Sequence, residues 1–417
     1  MIRPDSLCAR RVLGNAMLIP MLAAVAVMSP PTPVVAQAGP TIHEIGVGGV
    51  PAAQPMADGG FLVVWSRGSD VLGRRVSSVG EPLASEFSIR EDTAIYGYSP
   101  SLTRLSDDSF VVVWTTSDAY DFIANREVFG RRLDSTGMPS GGEFLVNDGP
   151  TRPADVKVRP TRSGGFVVDW TTGYYGIYTS VPWSKDVRVF DSTGTPLTGD
   201  LQVTDGTTTS SLEDSRITPS DDGGFIVAWS SDVLSPSLAR RLDSSGQPTG
   251  AVISLGSIQP TSGTPAFSAL DGGGYRVVWP DPTPGNRGIR FGYADQNLEL
   301  VGPGVLIEGK AGTPVDAQII VDSRDRPIVL WQERRIGHPT ESFFRYLSAQ
   351  DALTGATQTV GADPGVSISD SLLSLSGDRG ILIWNQSGSV YGRAFSVPVF
   401  LDGFESGGVG TWSTVVP

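Results

Sequence analysis

The run Phe110-Val111-Val112-Val113-Trp114, followed by Phe129-Gly130-Arg131-Arg132-Leu133-Asp134 and Gly142-Glu143-Phe144-Leu145-Val146-Asn147, reads as three strands separated by turns. The chain rewrites this unit, with drift, seven times. Trp65, Trp114, Trp170, Trp229, Trp279, Trp331 and Trp384 mark the period, at gaps of 49, 56, 59, 50, 52 and 53 residues. A near-constant period of this size indicates a stacked or radial repeat. Each tryptophan closes an apolar run such as Phe61-Leu62-Val63-Val64 or Phe225-Ile226-Val227-Ala228. Most runs follow an Asp/Gly turn, as in Asp58-Gly59-Gly60 and Asp222-Gly223-Gly224. They are apolar on both faces, as strands sandwiched between neighbouring sheets must be.

Three further strands complete the unit. A more polar segment, such as Ser101-Leu102-Thr103-Arg104-Leu105, precedes the Trp run and is strand A; the Trp run is strand B. Strand C carries an arginine that aligns in all seven units: Arg74, Arg131, Arg188, Arg240, Arg290, Arg345 and Arg393. Turns such as Asp134-Ser135-Thr136-Gly137 and Asp191-Ser192-Thr193-Gly194 follow it, with Asp and Ser to cap and Gly to supply φ > 0. Strand D reads Glu86-Phe87-Ser88-Ile89 or Glu143-Phe144-Leu145-Val146. Four antiparallel strands per unit make the blade of an all-β propeller, and seven units make seven blades.

The chain ends agree with a closed ring. The seventh unit passes through Ile381-Leu382-Ile383-Trp384 and Val390-Tyr391-Gly392-Arg393 and lacks a clear strand D. Thr41-Ile42-His43-Glu44-Ile45-Gly46-Val47 resembles strand D and has no A, B or C before it. It is predicted to pair into the last blade and to protect an otherwise open sheet edge.

Residues 1–38 have the form of a secretory leader. Arg3, Arg10 and Arg11 are its basic start, Ala16 to Met28 its apolar run, and Ala36-Gln37-Ala38 its small-residue cleavage pattern. Arg10-Arg11 weakly resembles a twin-arginine signal, and Sec export is the preferred reading. The apolar run is short for a membrane span, so no stable insertion is expected. Cys8 is the only cysteine, and the mature chain would have none, so neither disulfides nor thiolate metal sites are expected. Removing Arg3, Asp5, Arg10 and Arg11 takes away a net +2 and moves the charge from −13 to −15. An exported protein this acidic is a poor candidate for nucleic acid or anionic membrane. The propeller is expected over 39–397 and a separate tail over 398–417.

The Gly-Gly-Phe runs ending in Trp, followed by segments like Phe129 to Asn147, resemble a repeat of largely uncharacterised secreted and surface proteins of bacteria. The resemblance spans nearly all of residues 41–397, and is weakest in units 5 to 7, where Pro327 and Gly380 replace the leading aromatic. Asp402-Gly403-Phe404-Glu405-Ser406-Gly407, with Trp412, resembles a C-terminal motif of exported proteobacterial proteins. The resemblance implies a β-propeller and an exported location, and carries over no catalytic residue.

Several constellations have a bland reading that outweighs a chemical one. The Asp-Ser-Thr-Gly turns are turns. The aligned arginines belong between blades or near the rim, stacked on tryptophan or paired with carboxylates. No metal is expected: His43 and His338 are isolated, and no calcium-loop pattern occurs. No cofactor is expected either. Calcium held by the acidic turns Asp107-Asp108 or Asp221-Asp222 is the alternative, without a ligand pattern behind it. Neither histidine has a nucleophile motif nearby, which counts against serine hydrolase chemistry.

The departures from the repeat carry more information. Asp169 stands where other units have Val64, Val113, Ala228, Val278, Leu330 and Ile383. Arg276 stands where they have Leu62, Val111, Val167, Ile226, Ile328 and Ile381. A charge between packed sheets is costly unless paired, so each is expected to find a local partner; a functional carboxylate is the sharper alternative for Asp169. The B–C loops of units 2 and 3 are long. They hold Asp118, Tyr120 and Asp121, and Tyr174, Tyr175, Tyr178 and Trp183. Aromatics with carboxylates on one loop face suit sugar stacking or peptide recognition, although they equally suit packing the loops down.

These features favour an exported, non-enzymatic propeller that binds an extracellular glycan or protein through the loop face of blades 2 and 3. A polysaccharide-active glycosidase or lyase, drawing on Asp118, Asp121 and Asp169, is the second reading, and a structural envelope or matrix component the third.

Overall fold

In the computed structural model, seven antiparallel sheets of four strands form the ring of a β-propeller. The structure describes residues 41–91, 96–117, 126–149, 153–175, 180–204, 215–230, 237–255, 264–281, 287–308, 312–354, 356–360, 369–377 and 379–396, without the side chains of 117, 174, 175, 180–182 and 369–373. All of these lie in the unit Pro40–Pro417. Blade 2 illustrates the pattern, with strand A at Tyr96–Arg104, B at Phe110–Ser117, C at Val128–Leu133 and D at Phe144–Leu145. The A strands contact one another in ring order and line the axis.

Strand B is covered on both faces because each blade sits between two others. Phe61 to Trp65 and Phe110 to Trp114 are wholly buried, and alternate residues enter the cores of successive blade interfaces. Strand D is shorter than the sequence predicts in blades 1 to 4 and 6, at two residues each. Its flanking residue keeps one further bond, as Ile89 N–H does to the Val71 carbonyl at 2.8 Å. The Asp-Ser-Thr-Gly turns are capped as expected: Asp134 Oδ1 accepts from the Thr136 and Met138 amides at 2.9 and 3.1 Å, with Gly137 at φ 83°.

The ring closes as the chain ends predict. Ile42–Val47 is the fourth strand of blade 7, paired with Ser389–Ser396 in the order Ile42–Val47, Ser389–Ser396, Arg379–Gln386, Ser369–Ser376. Ile45 is fully buried there.

The aligned arginines lie between blades; Arg131, Arg188 and Arg345 pair with the carboxylates of Glu91, Asp148 and Glu308 as expected, and the recurring partners are backbone carbonyls. Nη1 of Arg74, Arg131, Arg188, Arg240 and Arg345 donates to Ile45, Ile89, Val146, Val203 and Ile307 of the preceding blade, at 2.7–2.8 Å. In the first four, Nε also donates to a carbonyl ten residues on, at 2.6–3.0 Å. A guanidinium has donors on two edges, so one side chain ties its own C–D loop to the neighbouring strand D. Arg290 instead stays within its own blade, pairing with Asp281 at 2.5 Å and donating to the Gly304 carbonyl at 3.4 Å.

Arg276, 2% exposed, is locally paired as expected. It makes a two-pronged contact with Asp325 at 2.8 Å and reaches Asp351 at 2.9 Å, both in blade 6 turns. It therefore staples blade 5 to blade 6.

Candidate ligand-binding face

In each blade strand A runs antiparallel to strand B, so the end of B and the start of A lie on one face of the ring. On that face, blade 3 carries its strands A at Pro153–Pro160, B at Phe166–Tyr175 and C at Ser180–Phe190, and blade 4 begins at Ser215–Pro219. Asp118, Tyr120, Asp121 and Tyr178 lie outside the described residues. Tyr174 and Tyr175 extend strand B, and their backbone pairs in register with Val181 and Ser180. Trp183 is half-buried, against the core between blades 3 and 4. Its ring lies over Gly173, where a Cβ would come within 2.7 Å of it, so that glycine is required by the close approach.

Asp169 lies within strand B of blade 3, three residues after its start, and is 0% exposed. It pairs in register with Lys157 on strand A. Lys185, also 0% exposed, places Nζ 3.9 Å from Asp169 Oδ2 and 3.7 Å from Asp155 Oδ2, and donates to Thr171 Oγ1. Lys157 Nζ lies 2.7 Å from Asp155 Oδ1. Ser215 closes the cluster from blade 4, with its amide and hydroxyl both 2.9 Å from Asp155 Oδ2 and the hydroxyl 3.0 Å from Asp169 Oδ2. The local backbone makes this convergence. A bulge between Ala154 and Lys157 puts Asp155 at φ 49°, a left-handed conformation that aspartate tolerates.

The two carboxylates titrate apart. Burial raises Asp155, but the charges of Lys157 and Lys185 and the bonds from Lys157 and Ser215 outweigh it and hold the group well below the usual carboxylate range. Burial dominates at Asp169; Lys185 opposes it and the charge of Asp155 adds to it, leaving Asp169 pushed up to about 6. Hydrogen-bond counting agrees. The Ser215 hydroxyl has one hydrogen and two carboxylate neighbours, so a proton on Asp169 resolves the second contact. Asp169 Oδ1 is buried without a hydrogen-bond partner among the described residues.

This difference predicts a pH dependence. Asp169 binds a proton more tightly folded than unfolded, so its contribution to stability is complete below about pH 4 and is lost as pH rises through about 6. Asp155 acts oppositely, and its window lies below about pH 4. Thermal melts of wild type and Asp169→Asn from pH 4 to 7 should therefore diverge, with wild type losing on the order of 3 kcal/mol relative to the variant. Parallel profiles would show that Asp169 does not titrate in this window.

Two exposed aromatics complete the face. Tyr96 and Tyr98 stand at the channel end of blade 2 strand A, 37% and 39% exposed, with rings stacked at 5.9 Å and 7°. Tyr96 pairs with Ser117, immediately before the long loop of blade 2. The loop-based sequence reading missed them, although an alternating Tyr-Gly-Tyr ahead of a polar strand A was visible. Lys185 was missed too. It lies three residues before Arg188, where other units have Val71, Val128, Ser237, Arg287, Ser342 and Val390.

No protein-family model and no curated protein matches the chain. Among solved structures, a protein of unknown function from Dyadobacter fermentans is similar over 85% of this chain and 96% of its own, at TM-score 0.53 and 10% identity. The polysaccharide lyase Uly1 is similar over 84% of this chain and 90% of its own, at TM-score 0.52 and 10% identity. Prolyl oligopeptidase B from Galerina marginata is similar over 85% of this chain and half of its own, at TM-score 0.52 and 11% identity. At such identities the likeness is one of fold alone.

Proposed function

We propose that this chain is an exported binding module that takes an extracellular glycan across the B–C loop face of blades 2 to 4. The observation that carries the reading is the stacked, exposed pair Tyr96 and Tyr98 at the start of blade 2 strand A. Two parallel phenol rings offer apolar area to the C–H faces of sugars. The leader form of residues 1–38 supports export.

A glycosidase would need two carboxylates reaching a glycosidic bond from opposite sides. Asp169 is 0% exposed, and the Ser215 hydroxyl occupies the space between it and Asp155. That arrangement favours binding over hydrolysis.

The test is a glycan array on the mature protein, followed by calorimetry on the best ligand. Tyr96→Ala and Tyr98→Ala should each weaken binding by about 3- to 10-fold. Their melting temperatures should stay near wild type, because both rings are exposed. No bound glycan, or unchanged affinity in both variants, would overturn the reading.

A further inference from the structure

Lys185 and Asp169 meet inside blade 3. Lys185 stands opposite Thr171 and Asp169 opposite Val187, so the two side chains are diagonal neighbours on one face of the sheet. Both are 0% exposed, with Lys185 Nζ 3.9 Å from Asp169 Oδ2, close but beyond hydrogen-bond reach. Asp155 faces both partners. Its Oδ2 lies 3.7 Å from the same Nζ and shares the Ser215 hydroxyl with Asp169 Oδ2. An amine, a carboxyl group and a second carboxylate are thus held together, the first two away from solvent.

As an ion cluster the arrangement is incomplete. Asp169 Oδ1 lacks a hydrogen-bond partner among the described residues, and the one Ser215 hydroxyl hydrogen faces two carboxylates. Charge held there away from water is costly. Joining the two side chains removes these faults. It expels one Asp169 oxygen and leaves the other as an amide carbonyl that accepts from the Ser215 hydroxyl, while the Ser215 amide still serves Asp155. Burial pushes Asp169 up to about 6, toward the neutral carboxyl that an amine attacks.

We propose that Lys185 Nζ and Asp169 Cγ condense to an internal amide, with Asp155 as the proton carrier. The Nζ–Cγ bond forms, the Cγ–Oδ1 bond breaks, and Oδ1 leaves as water with the carboxyl proton and one proton from Nζ. Of the other two ammonium protons, one stays on the amide and one is held by Asp155 until it returns to solvent. No oxidant, reductant or co-reactant is consumed. Fixed proximity replaces the entropy cost that an intermolecular condensation bears. The link ties strand B of blade 3 to strand C. Cys8 is the only cysteine of the chain, so no internal disulfide can do this. A linked chain has no Asp169 proton to titrate, so the pH divergence between wild type and Asp169→Asn belongs to chains that have not condensed.

The test is the intact mass of the folded mature protein, with a chymotryptic peptide map. Wild type should weigh one water less than its sequence requires. Chymotrypsin cuts after aromatic residues and should release a branched peptide joining residues 167–170 to residues 184–190. Lys185→Arg keeps the charge but lacks the nucleophile, and should show the mass its sequence requires. Asp155→Ala keeps both partners and should slow linkage after refolding by about 100-fold or more, followed by mass against time. Wild type without the water loss, or with it but with the two peptides recovered separately, would overturn the link. Linkage of Asp155→Ala at the wild-type rate would overturn the role of Asp155 and leave the link standing. The wild-type mass and map decide the link whether or not the variants fold.

Discussion

A chain that begins at Gly49, and so lacks the strand Ile42–Val47, is expected to lose its cooperative melting transition and to aggregate. The strand contributes at three places. Ile45 is 0% exposed within the core between blades 7 and 1, and truncating such a residue costs about 2–5 kcal/mol. Trp65 Nε1 donates to the Val47 carbonyl at 2.9 Å, and Arg74 Nη1 to the Ile45 carbonyl at 2.7 Å. Leaving each of these donors unsatisfied costs about 1–3 kcal/mol. Together these losses approach the ~5–15 kcal/mol that holds a typical domain folded. The deletion also bares the edge of Ser389–Ser396, which other chains can then pair with. Adding the peptide 41–47 in trans should recover part of the transition, because the edge remains complementary to it. A truncated chain that melts like the full one would show that the ring does not depend on this closure.

Lys185→Val is expected to destabilise the protein by about 3–5 kcal/mol, as removal of one partner from a buried ion cluster does. Lys185 is 0% exposed and stands between Asp155 and Asp169; without it, burial falls on two carboxylates with only Lys157 close by. The compensating change is written in the other blades. Blades 1 and 2 carry Val71 and Val128 at the Lys185 position, and Val64 and Val113 at the Asp169 position. The double variant Lys185→Val with Asp169→Val should therefore recover most of the loss, since well-packed apolar pairs often equal or exceed buried ion pairs. Chemical denaturation of the four proteins gives the coupling between the two positions. Strictly additive effects would mean that the lysine and the aspartate do not act as a pair.

The same double variant bears on function. If it is stable yet binds ligand less well, the cluster is kept for the shape and charge of the channel mouth. Blade 3 would then hold a Lys–Asp pair in place of Val–Val because it faces the ligand.

Much of this was legible in the repeat. Seven tryptophans, a recurring arginine and an orphan first strand determine a closed ring of seven four-stranded blades, because every unit must bury two faces and every edge must find a partner. Asp169 and Arg276 could be picked out as departures for the same reason: a charge inside a covered strand needs an explanation. The repeat could not say what each charge meets. Arg276 meets Asp325 and Asp351, which lie 49 and 75 residues away in the turns of another blade. Asp169 meets Lys185 on its own strand C and Ser215 in the next blade.

By itself, then, the sequence determined the period, the strand order, the closure and the positions where the pattern breaks, all of which follow from local hydrophobic alternation and turn chemistry. The tertiary structure alone decided that Asp155, Asp169, Lys185 and Ser215 converge, that Arg216 spans the channel to Asp316, and that Tyr96 and Tyr98 stand stacked at the rim. These contacts join residues up to 100 positions apart. They depend on the curvature of the ring and on a one-residue bulge in strand A, neither of which a linear pattern encodes.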